Sequence, residues 1–352
     1  MIDFTFIFWE LKRRKPLSIH GGYPCIGYPQ ADKLVPAFEK VGANLQPIEF
    51  CDYASLDLGL KPEQDRKEPF KTIGEKIQSD KVLIEWDGIT SHRDYKNIFK
   101  WNKEIYVIPH HAGIVGGSCS ISEEKRIRKE ITNNSTKVIF QLEWERAFWE
   151  DLECDKFITI NPPTRTGKQF DKMESRKILG ITTKYAIICW GNYEGKQYEA
   201  LIPWIEEWKD TSLLFVGSGN EEKIIQRYNI SKNIFFSPHG ISDVDADLWF
   251  SASDLCSYPR DTTEGTSTPT HVVGQGKCIV TYNFPSYIEL EKLSGVVTTT
   301  DLKRTTRELL LDEDKRKLLE SKSFEYARNN SYEDYAIKVG KLMGFSYSKG
   351  GT

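Results

Sequence analysis

The sequence contains no CxxC pair and no cluster of cysteine and histidine at metal-ligand spacing, which excludes the common zinc and thioredoxin-type motifs. Its seven cysteines, Cys25, Cys51, Cys119, Cys154, Cys189, Cys256 and Cys278, are odd in number and scattered. Several sit in apolar runs such as YAIICW, the pattern of buried thiols in a reducing compartment rather than of a disulfide framework. No apolar run is long enough to cross a bilayer, and the opening MIDFTFIFWELKRRKP places a short apolar stretch before its charges, unlike a signal peptide. A cytoplasmic protein is expected, with Lys12 to Lys15 read as a solvated loop rather than a membrane-surface patch. Positive charge is not in excess either: 48 Lys and Arg face 51 Asp and Glu, a net charge of -3. A pI of about 6.2 argues against a polyanion as the main partner, because phosphate neutralisation supplies most nucleic-acid affinity. Internal repeats of fixed period and low-complexity tracts are also lacking.

What is present is an ordinary globular composition, 39% hydrophobic and 28% charged, over 352 residues. That length exceeds the size at which one core stops growing, so two domains are expected. Short apolar runs alternate with helix-like segments, the pattern of an α/β protein with mostly parallel sheets. Strands are predicted at FTFIFWE (4–10), LQPIEF, KVLIEW (81–86), EIYVIP (104–109), TKVIFQL (136–142) and KFITIN (156–161). ADKLVPAFEKVGA reads as an amphipathic helix ending at glycine, and SEEKRIRKEITNN as a helix with Ser122 as its N-cap.

After Asn161 the stretch PPTRTGKQFDKMESRK, rich in Pro, Gly, Thr and charge, reads as an inter-domain linker. The alternation then restarts with strands in YAIICWGN, SLLFVGSGN, NIFFSP, DLCSYP and CIVTYN and helices in YEALIPWIEEWKD, EEKIIQRYNI, VDADLWFSAS and PTHVVGQG. From about Leu302 to Met343 the pattern is helical, with SYEDYAIKVGKLM as a final amphipathic helix. The expected organisation is a first domain over 1–165, a linker over 166–180, a second domain over 181–330 and a C-terminal helix over 331–352 that crosses back to the first domain. In open α/β sheets ligands sit beyond the carboxyl ends of the strands, so the turns after strands are the places to weigh.

Four such turns in the second half are bare of bulky side chains: GNYEGK (191–196), GSGN (217–220), SPHGIS (237–242) and TTEGTSTP (262–269). Small residues let a ligand approach the main chain, and N–H groups at a helix start form an anion site. A diphosphate suits them. The order WGNYEGKQYEALI, LLFVGSG, NIFFSPHGISDVDADLWFSASDLCSYP, TEGTSTPTHVVGQGKCIV, PSYIE resembles the carboxy-terminal half of the family 4, GT-B-fold glycosyltransferases over about Ile178 to Ala336. Over residues 1–165 the resemblance is looser, carried by GG after the first strand, a histidine after IYVIP, and FITINPP.

The resemblance implies two Rossmann-like α/β domains facing across a cleft. Lys196 matches the family lysine that holds the nucleotide diphosphate together with an arginine, and Asn192 stands where that arginine is usual. Asparagine supplies no charged fork, so phosphate affinity is expected to lean on Lys196 and backbone N–H groups. Gly191, Gly217, Pro238, His239 and Gly240 match the turns that meet the donor nucleotide. Glu264 matches the first glutamate of a paired-glutamate motif, near the donor sugar, with Gly265, Thr266, Ser267 and Thr268 laying backbone against the pyrophosphate. The second glutamate is missing and His271 takes its place; neutral imidazole accepts one hydrogen bond where a carboxylate accepts two ribose hydroxyls. In the first half, His110 and His111 follow a strand and project to opposite faces, so one of them, His111 by preference, is expected near the transferred sugar. Gly21 and Gly22 lie in a loop suited to acceptor or phosphate, and Asp87, His92 and Arg93 stand at another strand end.

The reaction implied is metal-independent sugar transfer with retention from a nucleotide-diphosphate sugar to a glycan, lipid-linked or other hydroxyl acceptor, with the nucleotide sugar as co-substrate and no further cofactor. DVDAD (243–247) sits at a predicted helix start, where acidic side chains complement the helix dipole, rather than in a metal-binding turn. Competing readings are a viral enzyme glycosylating modified DNA bases, against which the acidic pI weighs, a catalytically silent sugar- or nucleotide-binding protein, and a nucleotide-sugar epimerase of the same fold.

Overall fold

A computed structural model describes residues 2–8, 31–49, 69–86, 95–109, 121–149, 152, 155–192, 196–228, 231–238, 241–260 and 266–349. Its strands follow the continuous apolar runs, as expected where both faces of a parallel sheet are covered. The first compact unit comprises Met1–Pro162 with Tyr332–Thr352. Its strands β1 (Phe4–Phe8), β2 (Leu45–Glu49), β3 (Lys81–Trp86), β4 (Glu104–Pro109), β5 (Lys137–Phe140) and β6 (Phe157–Thr159) form one parallel sheet in the order β2-β1-β3-β4-β5-β6. Helices α1 (Ala31–Lys40), α2 (Pro69–Lys76), α3 (Ile121–Asn134) and α4 (Glu143–Ala147) join them.

Alternation along each strand divides this unit into two cores. On one face Ile7, Val82, Ile84, Val107 and Phe140 meet Phe70, Ile73 and Ile131 from the helices. On the other, Phe4, Phe6, Leu83, Tyr106 and Ile139 meet Leu34 and Phe38.

The second unit spans Pro163–Ser331. It contains α5 (Lys172–Leu179), β7 (Tyr185–Asn192), α6 (Ile202–Glu207), β8 (Thr211–Ser218), α7 (Glu221–Arg227), β9 (Ile234–Phe236), α8 (Asp243–Ala252), β10 (Leu255–Tyr258), α9 (Ser267–Gly274), β11 (Ile279–Tyr282), α10 (Pro285–Leu293), β12 (Val296–Thr299), α11 (Leu302–Leu311) and α12 (Glu313–Asn329). The sheet is again parallel, in the order β12-β11-β10-β7-β8-β9. The last helix, α13 (Tyr332–Leu342), belongs to the first unit, where Tyr335, Ala336 and Val339 join Leu34 and Phe38 in the second of its two cores.

Four sequence expectations are corrected. Most of the stretch read as linker is structured: Asp171 caps α5 by accepting from the Glu174 N–H, and Gly180 closes it at φ 71°. One of its charges is directed inward, where Arg176 donates to Asp254 at 2.7 Å and to the Ala252 carbonyl at 2.9 Å. Second, β12 arises from VVTT, whose partly exposed threonines mask the apolar signal of an edge strand. Third, α3 begins at Ile121, so Ser122 lies within its first turn rather than at its cap, a two-residue offset of the kind expected at helix ends. Fourth, YEALIPWIEEWKD is not one helix: Pro203 lacks an N–H, so Tyr198–Leu201 closes as a 3-10 turn before α6.

Asp254, only 2% exposed, binds this unit together. It accepts from the Ala186 N–H at 2.7 Å at the start of β7, forms an ion pair with Arg176, and lies close against Lys172. Burial alone raises a carboxyl pKa, but Lys172 and Arg176 outweigh it and hold Asp254 below the ordinary value. Asp254→Ala leaves a buried guanidinium without its carboxylate and is expected to cost about 3–5 kcal/mol in denaturant unfolding. A loss under about 1 kcal/mol contradicts the assignment.

Candidate functional site

The order of the second sheet locates its crevice. From β7 the chain adds β8 and β9 on one side and β10, β11 and β12 on the other, so the direction of winding reverses between β7 and β10. Connections leaving these two strands diverge, and the carboxyl edge between them is where a ligand fits in such sheets. At that edge stand Gly191 and Asn192, which end β7, Gly217 in β8, Pro238 after β9, and the segment from Tyr258 to Arg260 that leads towards α9.

Two glycines make the edge approachable. Gly191 and Gly217 are paired across the ladder and both take positive φ, 96° and 134°. A Cβ on Gly217 would stand 2.4 Å from the Gly191 carbonyl oxygen, and one on Gly191 would stand 2.4 Å from Lys196 Nζ. Gly217 therefore demands glycine for space as well as for conformation, and Gly191 demands it for conformation, a side chain there also displacing the Lys196 ammonium. The Gly217 N–H donates to Ser237 Oγ at 3.0 Å, which ties the end of β8 to the turn carrying the exposed Pro238.

Across the bare Gly191 backbone lies Lys196. Its ammonium donates to the Trp190 carbonyl at 3.2 Å and to Thr268 Oγ1 at 2.5 Å. Desolvation, reinforced by the positive charge of Arg260, lowers its pKa to about 8. Thr268 is buried in the first turn of α9, so the lysine and the helix start form one structure although 72 residues separate them. No acidic residue occupies that first turn, Thr266 at the N-cap makes no side-chain cap bond, and Pro269 contributes no N–H. The backbone N–H groups of Ser267 and Thr268 belong to a turn that has no intrahelical acceptor, the usual setting for an anion.

His271, one turn along α9, stacks on Trp190 with ring centroids 4.4 Å apart and planes 13° from parallel, and stands 5.7 Å from Phe250. Its imidazole is thus fixed against the aromatic end of β7. The structure brings together Gly191, Lys196, Thr268 and His271, while Gly217 and Pro238 stand at the ends of the next two strands. Glu264, Gly265, His239, Gly240, His110, His111, Gly21 and Gly22 lie outside the described residues, as do Asp87, His92 and Arg93. Of Asn192 the structure describes the backbone, the last position of β7.

Sequence reasoning did not single out Arg260, and its signal was an arginine directly behind the strand DLCSYP. The last carboxylate of DVDAD, Asp247, is fully buried and accepts both nitrogens of the Arg165 guanidinium fork at 2.7 and 2.5 Å, together with the Lys168 N–H at 2.9 Å. It anchors the entry to this unit. Among the described residues no three His, Cys, Asp or Glu side chains are placed to hold a metal ion, and no helix is long and apolar enough to cross a membrane.

No protein-family model matches the sequence, and no curated protein sequence matches it. Solved structures do. Sucrose-phosphate synthase from Thermosynechococcus elongatus superposes with a TM-score of 0.72 at 15% identity, covering 96% of this chain and 98% of that one. WaaG, a glycosyltransferase involved in lipopolysaccharide biosynthesis, gives 0.63 at 13%, covering 97% and 99%. Anabaena HepE in complex with UDP and glucose gives 0.64 at 11%, with the same coverage. These likenesses establish the fold: two parallel-sheet α/β units of the GT-B type.

Proposed function

We propose that this chain transfers a sugar, with retention of anomeric configuration, from a nucleoside-diphosphate donor to an acceptor hydroxyl. The observation that carries the reading is the Lys196 ammonium, held over bare Gly191 backbone against the first turn of α9 at the switch point of the second sheet. A departing nucleoside diphosphate carries the charge that develops as the glycosidic bond to the donor breaks. A fixed ammonium and the N–H dipoles at the start of α9 stabilise that charge without reorganising, which is the most effective form of electrostatic catalysis. In this reading Glu264 meets sugar hydroxyls, and one of His110 and His111 lies near the transferred sugar. HepE, a structural neighbour, is described in complex with UDP-glucose, and uridine diphosphate is therefore the first nucleotide to test.

Charge neutralisation is assigned to side chains and backbone, so turnover is expected to survive a chelator. Release of nucleoside diphosphate from a panel of activated sugars tests the activity itself. Lys196→Met and Glu264→Gln are expected to abolish release while leaving the circular dichroism spectrum unchanged. Wild-type rates in both variants would refute the placement, and no release from any donor would favour a silent binding protein.

A pH dependence follows from the depressed lysine. The ammonium binds the diphosphate, and it is lost as pH rises through about 8. Affinity for uridine diphosphate, measured by isothermal titration calorimetry, is expected to fall about tenfold between pH 7 and pH 9. In Lys196→Met that fall disappears. An affinity unchanged to pH 9 in the wild type would show that Lys196 does not hold the ligand.

A further inference from the structure

We infer that the unpaired edge of the first sheet, strand β6 with helix α13 beside it, is a docking groove for an extended acidic segment of a partner protein, which adds to the sheet as a further strand. The inference concerns the first unit alone and is independent of the donor chemistry proposed above.

The backbone supplies the first ground. β6 ends the order β2-β1-β3-β4-β5-β6, so only one of its sides is paired. Phe157 lies opposite Val138 and Thr159 opposite Phe140. The bonds around them run from the Val138 N–H to the Lys156 carbonyl at 3.0 Å and from the Ile160 N–H to the Phe140 carbonyl at 2.9 Å. Ile158 and Ile160 therefore face β5, and Phe157 and Thr159 turn their own N–H and C=O groups the other way. Among the described residues nothing takes either backbone group of Thr159, and its buried Oγ1 has no partner. Such an edge is a template for another strand.

The groove supplies the second. It measures about 580 Å³ between this edge and α13, and Ile158, Ile160 and Leu342 form its apolar lining. Ile158 and Leu342 are only partly buried against the core that Ile160 joins. An added peptide is held in such a setting by main-chain bonds, which give affinity, and by alternate side chains, which fill the apolar trough. β6 is short and Pro162 and Pro163 follow it closely, which limits the ladder to a few bonds and protects the edge from open-ended sheet growth.

Charge selects the occupant. Lys338 and Lys341 line the groove and are exposed, Thr159 and Asn161 are its other polar residues, and no carboxylate lines it. The acidic residues in the first turn of α13 are directed elsewhere, Glu333 to Lys40 at 2.7 Å and Asp334 to Lys349 at 2.9 Å. Among the described residues Lys341 enters no ion pair. An acidic strand brings carboxylates to this rim, whereas a basic one is repelled.

The test follows backbone amides of the whole chain by nuclear magnetic resonance and hydrogen exchange, with a short peptide of alternating valine and glutamate as the probe. In the free protein the Thr159 amide is expected to exchange quickly and that of Ile160 slowly, and the peptide is expected to protect Thr159 and shift its resonance. N-methylation of alternate peptide residues separates a ladder from an ionic contact without altering the protein. Methylating the set that faces β6 is expected to weaken binding about tenfold, and methylating the other set to leave it unchanged. Lys341→Glu is expected to weaken binding roughly three- to tenfold, and a peptide of alternating valine and lysine is expected not to bind. Equal tolerance of both methylated sets, undiminished binding by Lys341→Glu, or no protection of Thr159 at millimolar peptide overturns the groove. Phosphatidylglycerol vesicles that shift the Thr159 resonance where the peptide does not would assign this edge to a membrane surface and overturn it equally.

Discussion

The second unit is organised around one close approach: an ammonium lying against a strand end that has no side chain to keep it away. Gly191 leaves the space, Gly217 lets the neighbouring strand close up behind it, and Thr268 receives the proton donor from the first turn of α9. Each part depends on the others. A β-carbon on Gly191 collides with Lys196 Nζ, and without Lys196 the buried Thr268 hydroxyl loses its donor. The arrangement places a desolvated positive charge at the one point of the sheet where diverging connections leave room for a ligand.

Two buried carboxylates elsewhere in the unit are satisfied internally. Asp254 takes Arg176 and Lys172, and Asp247 takes Arg165. The entry segment is fastened further where Thr164 donates to the Thr270 carbonyl at 2.7 Å and the Gly167 N–H to the Gly274 carbonyl at 3.1 Å. Both contacts fall on α9, the helix whose start carries Thr268. The scaffold thus grips α9 along its length and leaves its first turn at the carboxyl edge of the sheet.

Much of the fold was legible because parallel strands are buried on both faces and show as unbroken apolar runs: KVLIEW and EIYVIP coincide with β3 and β4 residue for residue. Legibility failed where burial is partial or the partner is remote. The threonines of β12 hid an edge strand, and the charges of α5 suggested a linker because their acceptor, Asp254, lies 78 residues from Arg176. At the candidate site the bare turns were visible as glycine and hydroxyl residues after strands. Arg260 was not, because it follows β10, whose pairing with β7 joins segments far apart in the sequence. The hydroxyl of Thr268 was likewise read only as backbone, since its lysine lies 72 residues away.

The account stands on the Lys196 ammonium being a ligand-binding charge and not a structural strut. Nuclear magnetic resonance titration of that ammonium in lysine-labelled protein, assigned with Lys196→Met, reads it directly. In the free protein the midpoint is expected at about 8, and saturation with uridine diphosphate is expected to raise it towards the ordinary lysine value of about 10.4. A midpoint that ignores the nucleotide would contradict the account.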